Sequence, residues 1–183
     1  MRISGGEVKG RTLKFPSRST QRPTTDFLRE TLFNVLGSLA DQVFLDLYAG
    51  SGSVGLEAAS RKAKKVVFVE KNRELIGTIR ENVSWCGYAD RCLIIHADIQ
   101  TALRDLYRKK SGFDVIFADP PYNRGFIGET LRLLTEYPVY GENGFIVLQH
   151  SRKEQPPLST EWFITDQRKY GDNLLTLLRM GSA

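Results

Sequence analysis

Asp46-Leu47-Tyr48-Ala49-Gly50-Ser51-Gly52-Ser53-Val54-Gly55-Leu56-Glu57 is the stretch whose reading decides the fold. It emerges from a β-rich run, Val43-Phe44-Leu45-Asp46-Leu47, and leads into a helical pattern from Val54 to Arg61. Inside it, Gly50, Gly52 and Gly55 satisfy G-x-G-x-x-G. Glycines at a strand-to-helix turn let backbone approach a ligand that a Cβ would hold off. Loops of this kind serve dinucleotides and S-adenosylmethionine (SAM) alike, so the ligand has to be read from the residues around the loop.

Working outward, strand and helix patterns alternate. Phe27, Leu28, Leu32, Phe33, Val35, Leu36 and Leu39 recur at helical spacing before the loop. After it come a strand at 65–70, a helix at 72–84, a strand at 92–96, a helix at 99–109 and a strand at 113–118. A helix at about 126–136 and a strand at 144–149 follow, and then two strand-like runs at 162–169 and 174–179. Such alternation with apolar strands predicts an α/β fold, a parallel sheet covered on both faces. In such sheets the ligand lies beyond the carboxyl ends of the strands. Asp46, Glu70, Asp98 and Asp119 all fall at or just after those ends.

The acids bear on the ligand. A pyrophosphate is drawn to a helix N-terminus, and an acid beside the loop repels it. SAM carries an ammonium and a sulfonium and no phosphate, so Asp46 favours it. Glu70 stands where a carboxylate accepts hydrogen bonds from ribose hydroxyls, and either ligand needs that. Asp98 stands where an adenine amino group could be held, and equally where a helix takes an N-cap.

Asp119-Pro120-Pro121-Tyr122 separates the alternatives. Two prolines fix φ and remove two N–H donors. The loop is rigid and presents acceptors, the Asp119 carboxylate and the Pro120 carbonyl. That pair suits the two hydrogens of an exocyclic amino group, and Tyr122 suits the face of the base carrying it. Hydrogen bonds to both N–H groups orient the nitrogen lone pair toward an electrophile. Chemistry of this kind needs positioning and electrostatics more than acid–base groups. A hydride-transfer enzyme has no use for the loop.

The chain has 183 residues and a net charge of +5. One domain of this length buries roughly 70% of its unfolded surface without disulfides. Cys86, Cys92, His96 and His150 lack metal-ligand spacing, so no metal is expected. Few cysteines and no signal pattern predict a cytoplasmic protein, and the apolar runs fall far short of the roughly 20 residues needed to span a bilayer. The excess charge is local. Arg2, Lys9, Arg11, Lys14, Arg18 and Arg22 face only Glu7 in residues 1–25, leaving 26–183 balanced. We therefore divide the chain into a basic arm, 1–25, and a catalytic domain, 26–183. Ile3, Val8, Leu13 and Phe15, with turns at Gly5-Gly6 and Gly10, predict a short β-hairpin in the arm. Its charge suits nucleic acid.

Several motifs together resemble a known family: Arg2-Ile3-Ser4-Gly5-Gly6 with Lys9-Gly10-Arg11, Arg22-Pro23-Thr24-Thr25-Asp26 with Arg29-Glu30 and Leu32-Phe33-Asn34, the glycine loop, and Asp119-Pro120-Pro121-Tyr122. The chain resembles the RsmD family, the bacterial 16S ribosomal RNA guanine-N2 methyltransferases. The resemblance implies a Rossmann-like class I methyltransferase sheet of seven strands with an antiparallel last hairpin. It implies SAM as cofactor at Asp46, Ala49, Gly50, Ser51, Gly52, Gly55, Glu70, Lys71, Asp98 and Ile99. It implies catalysis at Asp119, Pro120, Pro121 and Tyr122, and RNA contacts at Arg2, Lys9, Arg11, Arg22, Thr24 and Arg29. The expected substrate is 16S rRNA within the assembled small subunit, and the expected state a monomer. The alternative is an adenine-N6 methyltransferase of DNA or RNA, whose amino group the same loop would serve. One departure stands out: Phe27 occupies a position where the family usually has Arg.

Overall fold

A computed structural model of the chain describes residues 1–16, 26–122, 125–157 and 161–181. Its helices are α1 (Asp26–Leu36), α2 (Ser53–Ser60), α3 (Arg73–Cys86), α4 (Ile99–Arg108) and α5 (Phe126–Glu136). Its strands are β1 (Val43–Leu47), β2 (Lys65–Glu70), β3 (Cys92–His96), β4 (Phe113–Ala118), β5 (Tyr140–Ser151), β6 (Trp162–Tyr170) and β7 (Asn173–Met180). They form one seven-stranded sheet in the order β3-β2-β1-β4-β5-β7-β6. β1 to β5 run parallel, while β7 is antiparallel to both β5 and β6. This is the expected class I sheet with its antiparallel last hairpin. Among the described residues no helix is long and apolar enough to cross a membrane.

The pleat explains the two faces. Along β1, β2 and β4, Phe44, Val66, Phe68, Val115 and Phe117 point to one core, together with α1, α2 and α3. Leu45, Leu47, Val67, Val69, Ile116 and Ala118 point to the other, together with α4 and α5. Alternate side chains of a strand face opposite ways, so strands buried on both faces read as continuous apolar runs. Phe68 is fully buried, a contribution of roughly 1.5–3 kcal/mol for a side chain of that class. It also explains Gly55. A Cβ there would lie 2.3 Å from the Phe68 ring, so α2 reaches β2 only because residue 55 has none.

The strand at 144–149 is longer than its apolar pattern. It starts at Tyr140, and its register against β4 shifts between Phe113 and Val115. The arm differs more. Residues 1–16 close a hairpin-like loop with one bridge, Arg2 to Thr12, and Ile3 and Leu13 are buried in the core beside α1 and α2. The Glu7 amide donates to the Ser60 carbonyl at 2.8 Å, and Ser60 Oγ donates to the Gly5 carbonyl at 2.7 Å. Thus the C-terminal end of α2 grips the arm.

Arg29 and Glu57 lock this junction. Both are fully buried, and Arg29 Nε donates to Glu57 Oε2 at 3.2 Å. Arg29 also bonds the Arg2 carbonyl, and Asp26 at 3.0 Å. Glu57 further accepts from the Ser4 amide at 2.8 Å, the Ser4 hydroxyl at 2.8 Å and Arg61 at 3.0 Å. The RNA contact expected of Arg29 is therefore corrected: its guanidinium is sealed inside and spent on Glu57. Removing one partner of a buried pair strands the other charge. Arg29→Ala should cost about 3 kcal/mol in denaturant unfolding, and an unchanged midpoint would show that the pair does not hold the arm.

Candidate active site

The carboxyl ends of β1, β2 and β4 open onto a cavity of about 1060 Å³. Of the expected cofactor positions, Asp46, Ala49, Gly50, Ser51, Glu70, Lys71, Asp98 and Ile99 line it, and so do Asp119, Pro120, Pro121 and Tyr122. The structure thus brings the glycine loop and the proline loop into one cavity. They share an edge because β1 and β4 are neighbours, with Leu47 opposite Ala118. Gly52 and Gly55 do not line the cavity. Gly52, at φ 79°, turns the chain into α2, and Gly55 lies under Phe68. The close approach that Gly52 allows is to Ile79 of α3 and to Phe68, and the one that Gly55 allows is of α2 to β2.

The loop's amides are already engaged by carboxylates. Gly55 N–H donates to Asp46 Oδ2 at 2.8 Å, in the first turn of α2. Gly50 N–H donates to Glu70 Oε2 at 2.9 Å, and Asn72 N–H to Glu70 Oε1 at 2.8 Å. A phosphate would need amides of this kind, and here two acids hold them. That arrangement favours a cationic ligand over a pyrophosphate. Tyr48, just before the glycines, has φ 62°, a region sparsely used outside glycine. Its hydroxyl is tied to Thr130 Oγ1 at 2.9 Å, an anchor on buried Thr130 of α5 that holds the turn.

Asp98 is exposed and N-caps α4, accepting from Thr101 N–H at 2.8 Å and from Thr101 Oγ1 at 3.2 Å. The Thr101 amide holds its carboxyl below the usual carboxylate range. Asp98 thus caps the helix and also lines the cavity.

Asp119 and Tyr122 meet at a residue that sequence reasoning missed. Gln149 Nε2 donates to Asp119 Oδ2 at 2.9 Å and to the Tyr122 hydroxyl at 3.1 Å. The signal for it was one polar residue closing the apolar run Phe145-Ile146-Val147-Leu148 at the same sheet edge.

The expected RNA contacts divide. Arg2 and Lys9 are exposed, and their side chains have no ion-pair partner among the described residues. Arg11 donates to the Trp85 carbonyl at 2.7 Å and lies 5.6 Å from the Trp85 ring centre. Arg22 and Thr24 lie outside the described residues. Phe27 points outward, 68% exposed, and meets Tyr170 edge-on at 6.3 Å. Phe15, Leu28 and Tyr170 also line the cavity, so the end of the arm and the start of α1 reach it. Among the described residues no group of acids, histidines and cysteines forms a metal site.

Asp46 gives the site its pH signature. Burial foremost, then repulsion from Asp119 and Glu70, outweighs the Gly55 hydrogen bond and pushes its pKa from 3.8 up to about 8. The folded state therefore binds this proton more tightly than the unfolded chain does. The stability it contributes is complete at acid pH and is lost as pH rises toward about 8. Asp46→Asn keeps an acceptor for Gly55 and cannot ionise. Its thermal stability should decline less than that of the parent between about pH 5 and about pH 8. Parallel curves would show that Asp46 does not carry the charge cost.

The family model described as conserved hypothetical protein 95 matches residues 1–179. YlbH of Bacillus subtilis is 36% identical over 93% of this chain and 94% of its own. Ribosomal RNA small subunit methyltransferase D of Escherichia coli is 32% identical over 93% of this chain and 85% of its own. The solved YhhF structure of Escherichia coli superposes with a TM-score of 0.86 at 28% identity, covering 100% of this chain and 99% of that one. Matched over nearly its whole length in sequence and in fold, the chain belongs to the RsmD family of ribosomal RNA methyltransferases.

Proposed function

We propose that the chain transfers a methyl group from SAM to the exocyclic N2 of one guanine in 16S ribosomal RNA. We place the reaction on the assembled small subunit, in the cytoplasm, with the protein acting as a monomer. The observation that carries this reading is the sharing of one cavity by the glycine loop, Glu70 and Asp119-Pro120-Pro121-Tyr122.

The residues fit the cofactor. SAM supplies an electrophilic methyl group on a cationic sulfur, and the cavity wall holds Asp46, Glu70, Asp98 and Asp119. In this reading Glu70 holds the ribose hydroxyls and Asp98 the adenine amino group. Gly50, with Ala49 and Ser51, lets the backbone lie against the ligand, and a cationic ligand would favour the ionised form of Asp46, which burial and neighbouring acids otherwise hold protonated up to about pH 8. Lys71 and Ile99 complete the wall.

The target base has to leave its helix to reach the loop, at a cost of a few kcal/mol. Tyr122 then stacks on it. The Asp119 carboxylate and the Pro120 carbonyl accept its two amino hydrogens and aim the nitrogen lone pair. Asp119 would also offset the positive charge that grows on nitrogen as the bond from methyl to sulfur gives way to the bond to nitrogen, and one amino proton would then leave to solvent. Pro120 and Pro121 keep both acceptors in place.

Asp119→Ala should abolish transfer while SAM affinity stays within about threefold by calorimetry. Loss of SAM binding in that variant would make Asp119 structural. Nucleoside mass spectrometry after reaction with labelled SAM should find the label in N2-methylguanosine. Label in N6-methyladenine would overturn the substrate and keep the fold. Comparison of small subunits with naked 16S rRNA reads which form is recognised.

The arm adds the polyanion contact, through Arg2 and Lys9. Deleting it is no clean test, because Ile3 and Leu13 belong to the core. Arg2→Ala with Lys9→Ala should instead weaken RNA binding and lower the slope of log affinity against log salt by about 2, roughly one per lost phosphate contact. An unchanged slope would put the RNA elsewhere on the surface.

A further inference from the structure

We propose that Gln149 is a positioning residue of the transfer site, whose side-chain amide clamps Asp119 and Tyr122 into the arrangement that receives the base. This rests on the reading of Asp119-Pro120-Pro121-Tyr122 as the receiving loop.

The geometry is specific. In the parallel pair of β4 and β5, Ala118 stands opposite Leu148, so the next residues along, Asp119 and Gln149, leave the pair side by side. Gln149 also pairs with Leu175 of β7, so its backbone is held from that side too. A primary amide has two N–H donors on one nitrogen. Gln149 Nε2 directs them at Asp119 Oδ2, 2.9 Å away, and at the Tyr122 hydroxyl, 3.1 Å away. The opposite amide orientation would turn Oε1 toward a carboxylate, so charge sets the orientation. One group thus ties the residue that binds the amino group to the residue that stacks on its ring, across the two prolines between them.

Stability does not account for this glutamine. It is 3% exposed, and its Oε1 is buried with no hydrogen-bond partner among the described residues. An orphaned buried acceptor destabilises a fold. Leucine would continue the apolar run of β5 and carry no such penalty. What glutamine adds is the pair of bonds to the loop.

The test uses Gln149→Leu, Gln149→Glu and Asp119→Ala in the full chain. It measures thermal unfolding, SAM affinity, and kcat and KM for the RNA across pH. Gln149→Leu should melt no lower than the parent and bind SAM as well. Its kcat should fall on the order of 10- to 100-fold, the scale of a misplaced reacting group, with KM little changed. Gln149→Glu sets a second carboxyl against Asp119, and the two cannot both ionise cheaply at hydrogen-bond distance. While the two carboxyls share a proton, the clamp holds and activity is kept. As pH rises and the shared proton leaves, the two charges repel and kcat falls, a limb additional to any that Asp46, at about 8, gives the parent. A parental kcat in Gln149→Leu beside an inactive Asp119→Ala overturns the clamp and leaves the receiving loop standing. A joint fall of melting temperature and kcat in Gln149→Leu, with no new pH limb in Gln149→Glu, reduces Gln149 to packing. Full transfer by Asp119→Ala removes the loop's role and the clamp with it.

Discussion

The hydrogen bond from Gly55 to Asp46 is the constraint around which the site is arranged. It joins the end of β1 to the first turn of α2, at 2.8 Å and with the carboxyl almost wholly buried. A carboxyl so placed is expensive to ionise, and Asp119 and Glu70 make it more so. The sheet thereby gathers acids at one edge. A cation in the cavity relieves their repulsion, whereas an anion adds to it. The two loop amides held by Asp46 and Glu70 make the same choice a second time. A chain whose net charge is +5 thus keeps an acidic interior site, with its excess of cations in the first 25 residues. Separation of the two signs suits a protein that meets a cationic cofactor inside and a polyanion outside.

α2 links these two regions. Its N-terminal turn carries Gly55, bonded to Asp46, and its C-terminal residue Ser60 holds the arm. Between them Glu57 binds Arg29, Arg61 and Ser4. Burying an ion pair seldom adds net stability, because desolvation consumes the attraction. Its use here is placement. The carboxylate has the donors to satisfy it only when α1, α2 and the arm meet in one arrangement, so the basic surface stands in a defined place relative to the cavity.

The strands and most helices were legible in the sequence because burial on two faces leaves unbroken apolar runs, and amphipathic helices leave period-3.6 stripes. The carboxylates at the strand ends were legible because the fold class says where its ligand lies. What failed to show were contacts between distant positions. Arg29 reads as a surface cation until Glu57 is known to face it, although its place beside Leu28, Leu32 and Phe33 was a hint that it lay on the buried stripe. Gly52 and Gly55 fit the ligand pattern, yet the atoms they make room for are those of Ile79 and Phe68. The arm read as an appendage because its charge is conspicuous, and the burial of Ile3 and Leu13 depends on helices far along the chain.

Methylation of an aromatic amine asks little of acid–base groups and much of geometry, because the nitrogen lone pair has to be drawn out of the ring and held in line. On the proposed reading of Asp119-Pro120-Pro121-Tyr122 as the receiving loop, such a task penalises any looseness there. The fold answers with constraints of different kinds. Two prolines restrict the backbone, Pro120 is buried, and β4 anchors the loop between β1 and β5. The polar bonds from Gln149 then reach Asp119 and Tyr122 together. Backbone restriction alone would not aim either side chain. Side-chain bonds alone would leave the Pro120 carbonyl undirected. The loop needs both, and this is why a buried, half-satisfied glutamine closes a strand that is otherwise apolar from Phe145 to Leu148.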